Sequence, residues 1–240
     1  MTYPNIALLD ADYFVINIAR LCDMEGIEDI PTYVDYCIQE WTPYGCNKVA
    51  LAFSAPRKSY YRKRLYPSYK SNRDGMEKPK TLGWVKSYCE DNYKCSTVDQ
   101  LEADDLLGIL CSDNKVIGVS IDKDMRSVPG WHWNPHKESE PVYVTPEEAD
   151  MNFHIQWIAG DPVDGFKGVW RTGPKKAQKW LEEAGPENLT AATLALYESK
   201  GYTYDYCKSM AICARILRAG ELSDTFEPKI FDPFEQFTTG

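Results

Sequence analysis

The sequence predicts an α/β fold with a largely parallel central sheet, and two observations carry that reading. Three short apolar runs, 5–9, 48–53 and 116–121, have the length and continuity of strands buried on both faces. Between them lie segments with helical apolar spacing, over 13–21, 31–41, 82–93 and 101–111, and strands that alternate with helices assemble into parallel sheets. In such sheets ligands bind outside the carboxyl ends of the strands. A third observation divides the chain: after about residue 144 the pattern is helix and turn only, which predicts an α/β domain over 1–144 and a helical lobe over 145–240.

Taken in order, the first run (NIALL) ends in Asp10-Ala11-Asp12, whose two acids share a face if extended. The second (KVALAF) ends in Ser54-Ala55 and leads into a basic strip. The third (VIGVSI) ends in Asp122-Lys123-Asp124. In the lobe, Thr145-Pro146-Glu147-Glu148 is a capping box with proline at the first helical position, opening a helix to about 159. Gly160 stops it. A glycine-rich turn runs to Gly173, and Pro174 opens a helix carrying Lys175, Lys176 and Lys179. A last helix is expected over 204–218, with an irregular tail from 222. Trp157, Trp170 and Trp180 are expected to hold the lobe together.

Composition narrows the class. At 240 residues and 43% apolar, the chain can bury one sizeable core or a core plus a small lobe. No stretch approaches the ~18 apolar residues of a membrane span. The start lacks the charged and apolar regions of a signal peptide, and the eight cysteines form no CxxC pair. A reducing cytoplasm is therefore expected, without a disulfide framework or zinc site. Cys207 and Cys213 read as core thiols, and His154 as packing or surface. His132 and His136 have ligand-like spacing, but Pro135 opposes the helix that spacing needs.

The net charge of −9 at first disfavours a nucleic-acid partner. Its distribution reverses that inference. Residues 57–80 hold nine basic side chains against Asp74 and Glu77, interleaved with Tyr60, Tyr61, Tyr66 and Tyr69. The acids instead form knots: Asp10 with Asp12; Glu102 with Asp104 and Asp105; Asp122 with Asp124; Asp161 with Asp164. Each knot alone has an ordinary explanation in strand ends, first helical turns or Asp/Gly turns. Glu102 and Asp105 are less ordinary, because on a helix they continue the stripe of Leu106 and Ile109. Clustered carboxylates repel one another unless a cation intervenes. Oxygen ligands without His or Cys suit magnesium, with manganese able to substitute. Two such ions ~3.5–4 Å apart clamp both oxygens of an in-line phosphoryl displacement.

The order LLDAD, YPSYKSNR (66–73), LEADD, SIDKD and GDPVDGFKGVWRTGPKKA (160–177) resembles the 5′→3′ exonuclease and flap endonuclease family, most closely its phage-encoded members. The resemblance spans about 5–181. It implies a PIN-like α/β domain with two magnesium sites and a helix-three-turn-helix element on duplex DNA. It places metal ligands at Asp10, Glu102, Asp104, Asp105, Asp122, Asp124, Asp161 and Asp164. Lys70 and Arg73 would contact the scissile phosphate, and Tyr69 would stack on a base near the cut. Arg57, Lys58, Arg62, Lys63 and Arg64 would contribute DNA contacts. Gly165, Gly168 and Gly173 would let backbone amides approach a phosphate, directly or through a bound potassium ion, with Lys175 and Lys176 following the backbone. The substrate would be DNA with a 5′ end or flap, and the chain a monomer. One position departs from the pattern: the family places an acid after the second strand, where this chain has Ser54-Ala55. Either a ligand is missing or Asp12 substitutes for it, and the alternative is a structure-specific DNA-binding protein with an incomplete metal site. A phosphatase of the haloacid dehalogenase type would leave the basic strip without a role. A PIN-type ribonuclease shares the acids, but the Gly/Lys turn favours duplex DNA.

Overall fold

The computed structural model describes residues 3–73 and 75–233. Six strands form one sheet: β1 (Ile6–Asp10), β2 (Lys48–Ala52), β3 (Lys94–Ser96), β4 (Ile117–Val119), β5 (Gly130–Trp133) and β6 (Val142–Val144), in the order β3-β2-β1-β4-β5-β6. The first five run parallel and β6 is antiparallel to β5. The order reverses between β1 and β4, where Ala7, Leu8 and Leu9 pair with Ile117, Gly118 and Val119. All six of these residues are buried, which is why both segments read as unbroken apolar runs.

Nine helices accompany the sheet among the described residues: α1 (Ala11–Glu25), α2 (Ile30–Glu40), α3 (Tyr61–Leu65), α4 (Leu82–Asn92), α5 (Ala103–Ser112), α6 (Pro146–Ala159), α7 (Pro174–Ala184), α8 (Leu189–Ser199) and α9 (Tyr204–Ala214). One core joins Phe14, Ile18, Val34 and Val85 of α1, α2 and α4 to β1, β2 and β4. A second sets Leu106 and Leu107 of α5 against Leu8, Ala52 and Ile216. The lobe's core gathers Phe153, Trp157, Phe166, Leu181, Tyr197 and Met210, and it also takes Ala55, Tyr60 and Tyr69 from the first half of the chain. Packing thus crosses residue 144 in both directions.

Local signals placed α6 well. Thr145 Oγ1 accepts from the Glu148 N–H at 3.2 Å, and Glu148 Oε2 accepts from the Thr145 N–H at 2.9 Å. Other expectations need correction. The last helix ends at Ala214, because Arg215 turns extended and 215–217 run back against α5. The short strands β3, β5 and β6 were not anticipated, since three or four residues carry too little periodicity to register, and neither was the longer helix α8. Of the three tryptophans expected to hold the lobe, Trp157 is fully buried and Trp180, though 40% exposed, ties α7 to α8 by donating to the Ala192 carbonyl at 2.9 Å, but Trp170 is 69% exposed. His154 is buried, bonded to the Asp150 carbonyl at 2.7 Å and to Thr190 Oγ1 at 3.1 Å. No described helix is long and apolar enough to cross a membrane, and all eight cysteines are free thiols. Part of the tail, 234–240, lies outside the described residues, as does Asp74.

Candidate active site

The end of β1 and the loop after β4 meet at the strand-order reversal, the position where open α/β sheets present their ligand crevice. Asp10 ends β1, and Asp12 lies in the first turn of α1. Asp122 caps the short turn 123–127 and accepts from the Asp124 N–H at 2.8 Å. Helix α5 adds Asp104 from its first turn. Asp10 is buried and accepts from the Ser120 hydroxyl at 3.1 Å. Burial, then the charges of Asp12 and Asp122, push its pKa up to about 7. Asp104 is driven well upward by burial and by the charges of Asp10 and Asp122. Burial and Asp122 likewise push Asp124 up to about 7. Among the described residues Asp10, Asp104 and Asp122 have no ion-pair partner. Asp10, Asp104 and Asp122 therefore cluster without an ion-pair partner, and the exposed Lys123 stands beside them, 3.7 Å from Asp124 and 3.4 Å from Asp161.

A second set of acids is already neutralised. Glu102 is the N-cap of α5, in a reciprocal box with Asp105. Its Oε2 accepts from Arg62 at 2.9 Å and from the Tyr69 hydroxyl at 3.0 Å, and its Oε1 pairs with Lys70. Burial opposes its ionisation, but Lys70 and Arg62 outweigh it and hold Glu102 below the usual carboxylate range. Asp105 is fully buried. It takes two bonds from Arg62 at 2.6 and 2.7 Å, and one each from the Leu217 and Glu102 N–H groups. Asp164 pairs with Arg73 at 2.6 Å and with Lys70 at 3.5 Å. Asp161 accepts from the Val163 N–H at 2.7 Å and lies 3.4 Å from Lys123 Nζ.

Several expected roles change accordingly. Asp105 is an anchor beneath Arg62, not an open metal ligand, because every oxygen is engaged. Arg62 is 2% exposed and also donates to the Arg215 carbonyl, so it braces the interior and does not reach DNA. Tyr69 is 3% exposed with its hydroxyl on Glu102, which removes it as a stacking platform. Gly165 and Gly168 are needed for internal packing: a Cβ on Gly165 would lie 2.7 Å from the Ser68 carbonyl, and one on Gly168 would lie 2.4 Å from that of Ile158. Gly173 alone of the three faces open space. Lys58, Arg64, Lys175 and Lys176 are exposed; Arg57, Lys63 and Arg73 are half-buried.

Sequence reading missed the structural use of Ser54. Its N–H donates to Asp12 Oδ1 at 3.4 Å and its hydroxyl accepts from the Ala103 N–H at 2.8 Å. The residue standing in the acid's place thus ties Asp12 to the start of α5. It left no sequence signal, since both partners are more than 40 residues away.

No described group of three or more His, Cys, Asp or Glu side chains is already drawn into a closed metal-binding set. The donor chemistry nonetheless fits a hard divalent cation: oxygen-only ligands whose ionisation is opposed first by burial and then by one another's charge.

No family model matches the chain. It is 29% identical over 200 residues to an exodeoxyribonuclease of Enterobacteria phage T3, covering 67% of this chain and 66% of that one. It is 29% identical over 120 residues to an exonuclease of Escherichia phage T7, covering 45% and 39%. It is 30% identical over 137 residues to the flap endonuclease Xni of Shewanella piezotolerans, covering 51% and 54%. The chain thus spans between about two-fifths and two-thirds of these relatives' lengths. Among solved structures, the T5 5′-exonuclease with bound divalent metal ions (zinc) superposes with a TM-score of 0.63 at 16% identity, over 87% of this chain and 93% of that one. The catalytic core of Rad2 in complex with a DNA substrate gives 0.58 at 12% identity, over 96% and 83%. The fold is therefore the PIN-like one expected, and the chain is similar in sequence and in fold to phage 5′-exonucleases and to flap endonucleases.

Proposed function

We propose that the chain is a metal-dependent 5′→3′ exonuclease and flap endonuclease that hydrolyses DNA phosphodiester bonds. The observation that carries this is the set Asp10, Asp104, Asp122 and Asp124 at the sheet's crevice, beside a wall of paired cations: the first three have no ion-pair partner among the described residues, and Asp124 meets the exposed Lys123 at 3.7 Å. These four would hold divalent ions, magnesium or manganese by ligand type, with Asp12 the candidate for the place vacated by Ser54. Such ions supply positive charge to the phosphoryl oxygens and activate the attacking water.

The chain's own side chains do the rest. Lys70 lies in the interior wall, bonded to Glu102 and Asp164, and its ammonium is held charged by them although burial opposes it. Its left-handed backbone (φ 51°) is fixed by its N–H donating to the Asp164 carbonyl at 2.8 Å. Arg73 is the more accessible cation, positioned by Asp164 to meet a phosphate and offset charge developing there. The exposed Lys58 and Arg64 would add sequence-independent phosphate contacts, as would Lys175 and Lys176 at the start of α7. A potassium ion bridging the turn before α7 to a phosphate, and a monomeric state, belong to the same reading.

Digestion of 5′-labelled blunt, overhanging and flap duplexes, with magnesium and with EDTA, tests it. Magnesium-dependent products released from the 5′ end are expected; full activity in excess EDTA sinks the reading. Ser54 favours one second reading, a structure-specific DNA-binding protein with an incomplete metal site. That reading requires binding to branched DNA with no turnover at any magnesium or manganese concentration.

A further inference from the structure

We propose that Trp170, backed by Arg171, is an aromatic contact to duplex DNA that packs on the deoxyribose of the strand whose phosphates Lys175 and Lys176 follow. The inference rests on the nuclease reading for its DNA partner, and its own basis is the shape of the turn between α6 and α7. Val169 is 1% exposed and anchors that turn in the lobe's core, whereas Trp170 beside it is 69% exposed. A tryptophan so placed carries a large apolar face in water that folding alone does not require.

The backbone that carries the ring is also held. The Trp170 backbone N–H donates to the Tyr202 hydroxyl at 3.0 Å, and the Trp170 backbone carbonyl accepts from the Thr172 hydroxyl at 3.5 Å. Arg171 adopts a left-handed backbone (φ 58°), unfavourable for a side-chain-bearing residue, and its carbonyl accepts from Lys176 Nζ at 3.3 Å. That conformation accompanies a guanidinium lying 4.1 Å from the Trp170 ring centroid. One ring face is thus covered by a cation and the other is left for a ligand.

The surroundings specify what that ligand is. Residues 165–181 contain Lys167, Arg171, Lys175, Lys176 and Lys179 and no acid, in a chain whose net charge is −9. Gly173 faces open space just before the N-terminus of α7. A rigid apolar face flanked by cations and a helix N-terminus matches a surface on which sugars alternate with phosphates. On a duplex the bases are stacked inside, so the sugar is what the ring meets.

Fluorescence anisotropy in EDTA tests the proposal, using a 20-base-pair blunt duplex and a single-stranded oligonucleotide of equal length. The proteins are wild type, Trp170→Ala, Trp170→Phe and Lys175→Ala/Lys176→Ala. Trp170→Ala is expected to keep the wild-type melting temperature, since the side chain is exposed. It should lose about tenfold in duplex affinity, similarly across sequences, while Trp170→Phe retains most of it. Unchanged duplex affinity in Trp170→Ala, with the double lysine variant weakened, overturns the role of Trp170 and leaves the nuclease reading standing. A loss confined to the single strand overturns the sugar contact in favour of base stacking. A wild-type protein that binds neither DNA overturns the nuclease reading itself.

Discussion

Replacing Arg62 with methionine should unfold the joint between the sheet and the helical lobe. Arg62 is 2% exposed, donates to Glu102 and twice to Asp105 within 2.9 Å, and also reaches the Arg215 carbonyl. Methionine keeps the apolar stem but leaves Asp105 buried with only backbone N–H groups from Glu102 and Leu217. Glu102 is less affected, because Lys70 and Tyr69 remain. Removing one partner of a buried ion pair costs about 3–5 kcal/mol, a large share of the ~5–15 kcal/mol that holds a domain together. For a chain of this size each kcal/mol shifts Tm by about 2–4 °C, so a fall of about 6–20 °C is expected. Arg62→Met combined with Asp105→Leu removes the stranded charge and should recover part of the loss. Recovery stays incomplete because the two backbone donors lose their acceptor. Urea and thermal unfolding, followed by circular dichroism and tryptophan fluorescence in EDTA, read both variants, and coincident transitions validate the two-state treatment. A loss below about 1 kcal/mol in Arg62→Met would refute the bracing role.

Two further outcomes follow from the same contacts. Magnesium should raise the melting temperature, by about 2.7 kcal/mol of added stability at a hundredfold excess over its dissociation constant, and the rise should shrink in Asp104→Asn; an equal rise in both proteins counts against Asp104 as a ligand. His154 is buried with its pKa pushed down to about 4, chiefly by desolvation. The unfolded chain therefore binds its proton first, and stability falls as pH drops from about 6.5 to about 4, by up to about 3 kcal/mol. His154→Gln should lose that slope, so the wild-type advantage is fully present above pH 6.5 and narrows below it. A wild-type-minus-variant difference that is flat with pH would contradict the buried neutral imidazole.

By itself the sequence determined the features that depend on local periodicity and chemistry. Buried parallel strands must be apolar throughout, so β1 and β4 were legible, and the acids ending them fell at the crevice as the sheet rule requires. The Thr145–Glu148 box and Pro174 marked the starts of α6 and α7 because caps are satisfied within a few residues. The acids were visible as residue types, but not their partners. Only the tertiary structure decided that Arg62 and Tyr69 turn inward while Lys58 and Arg64 stay outside. It also decided that Asp105 is consumed in the interior while Asp10 and Asp104 are left without an ion-pair partner among the described residues, and that Trp170 points out while Trp157 is buried. Those choices rest on contacts across 40 to 112 residues of chain, such as Arg62 with Glu102 and Asp105 with Leu217. A basic residue has the same local signature whether it meets a buried carboxylate or a phosphate in solvent. Burial and pairing, which only the folded chain supplies, separate the two.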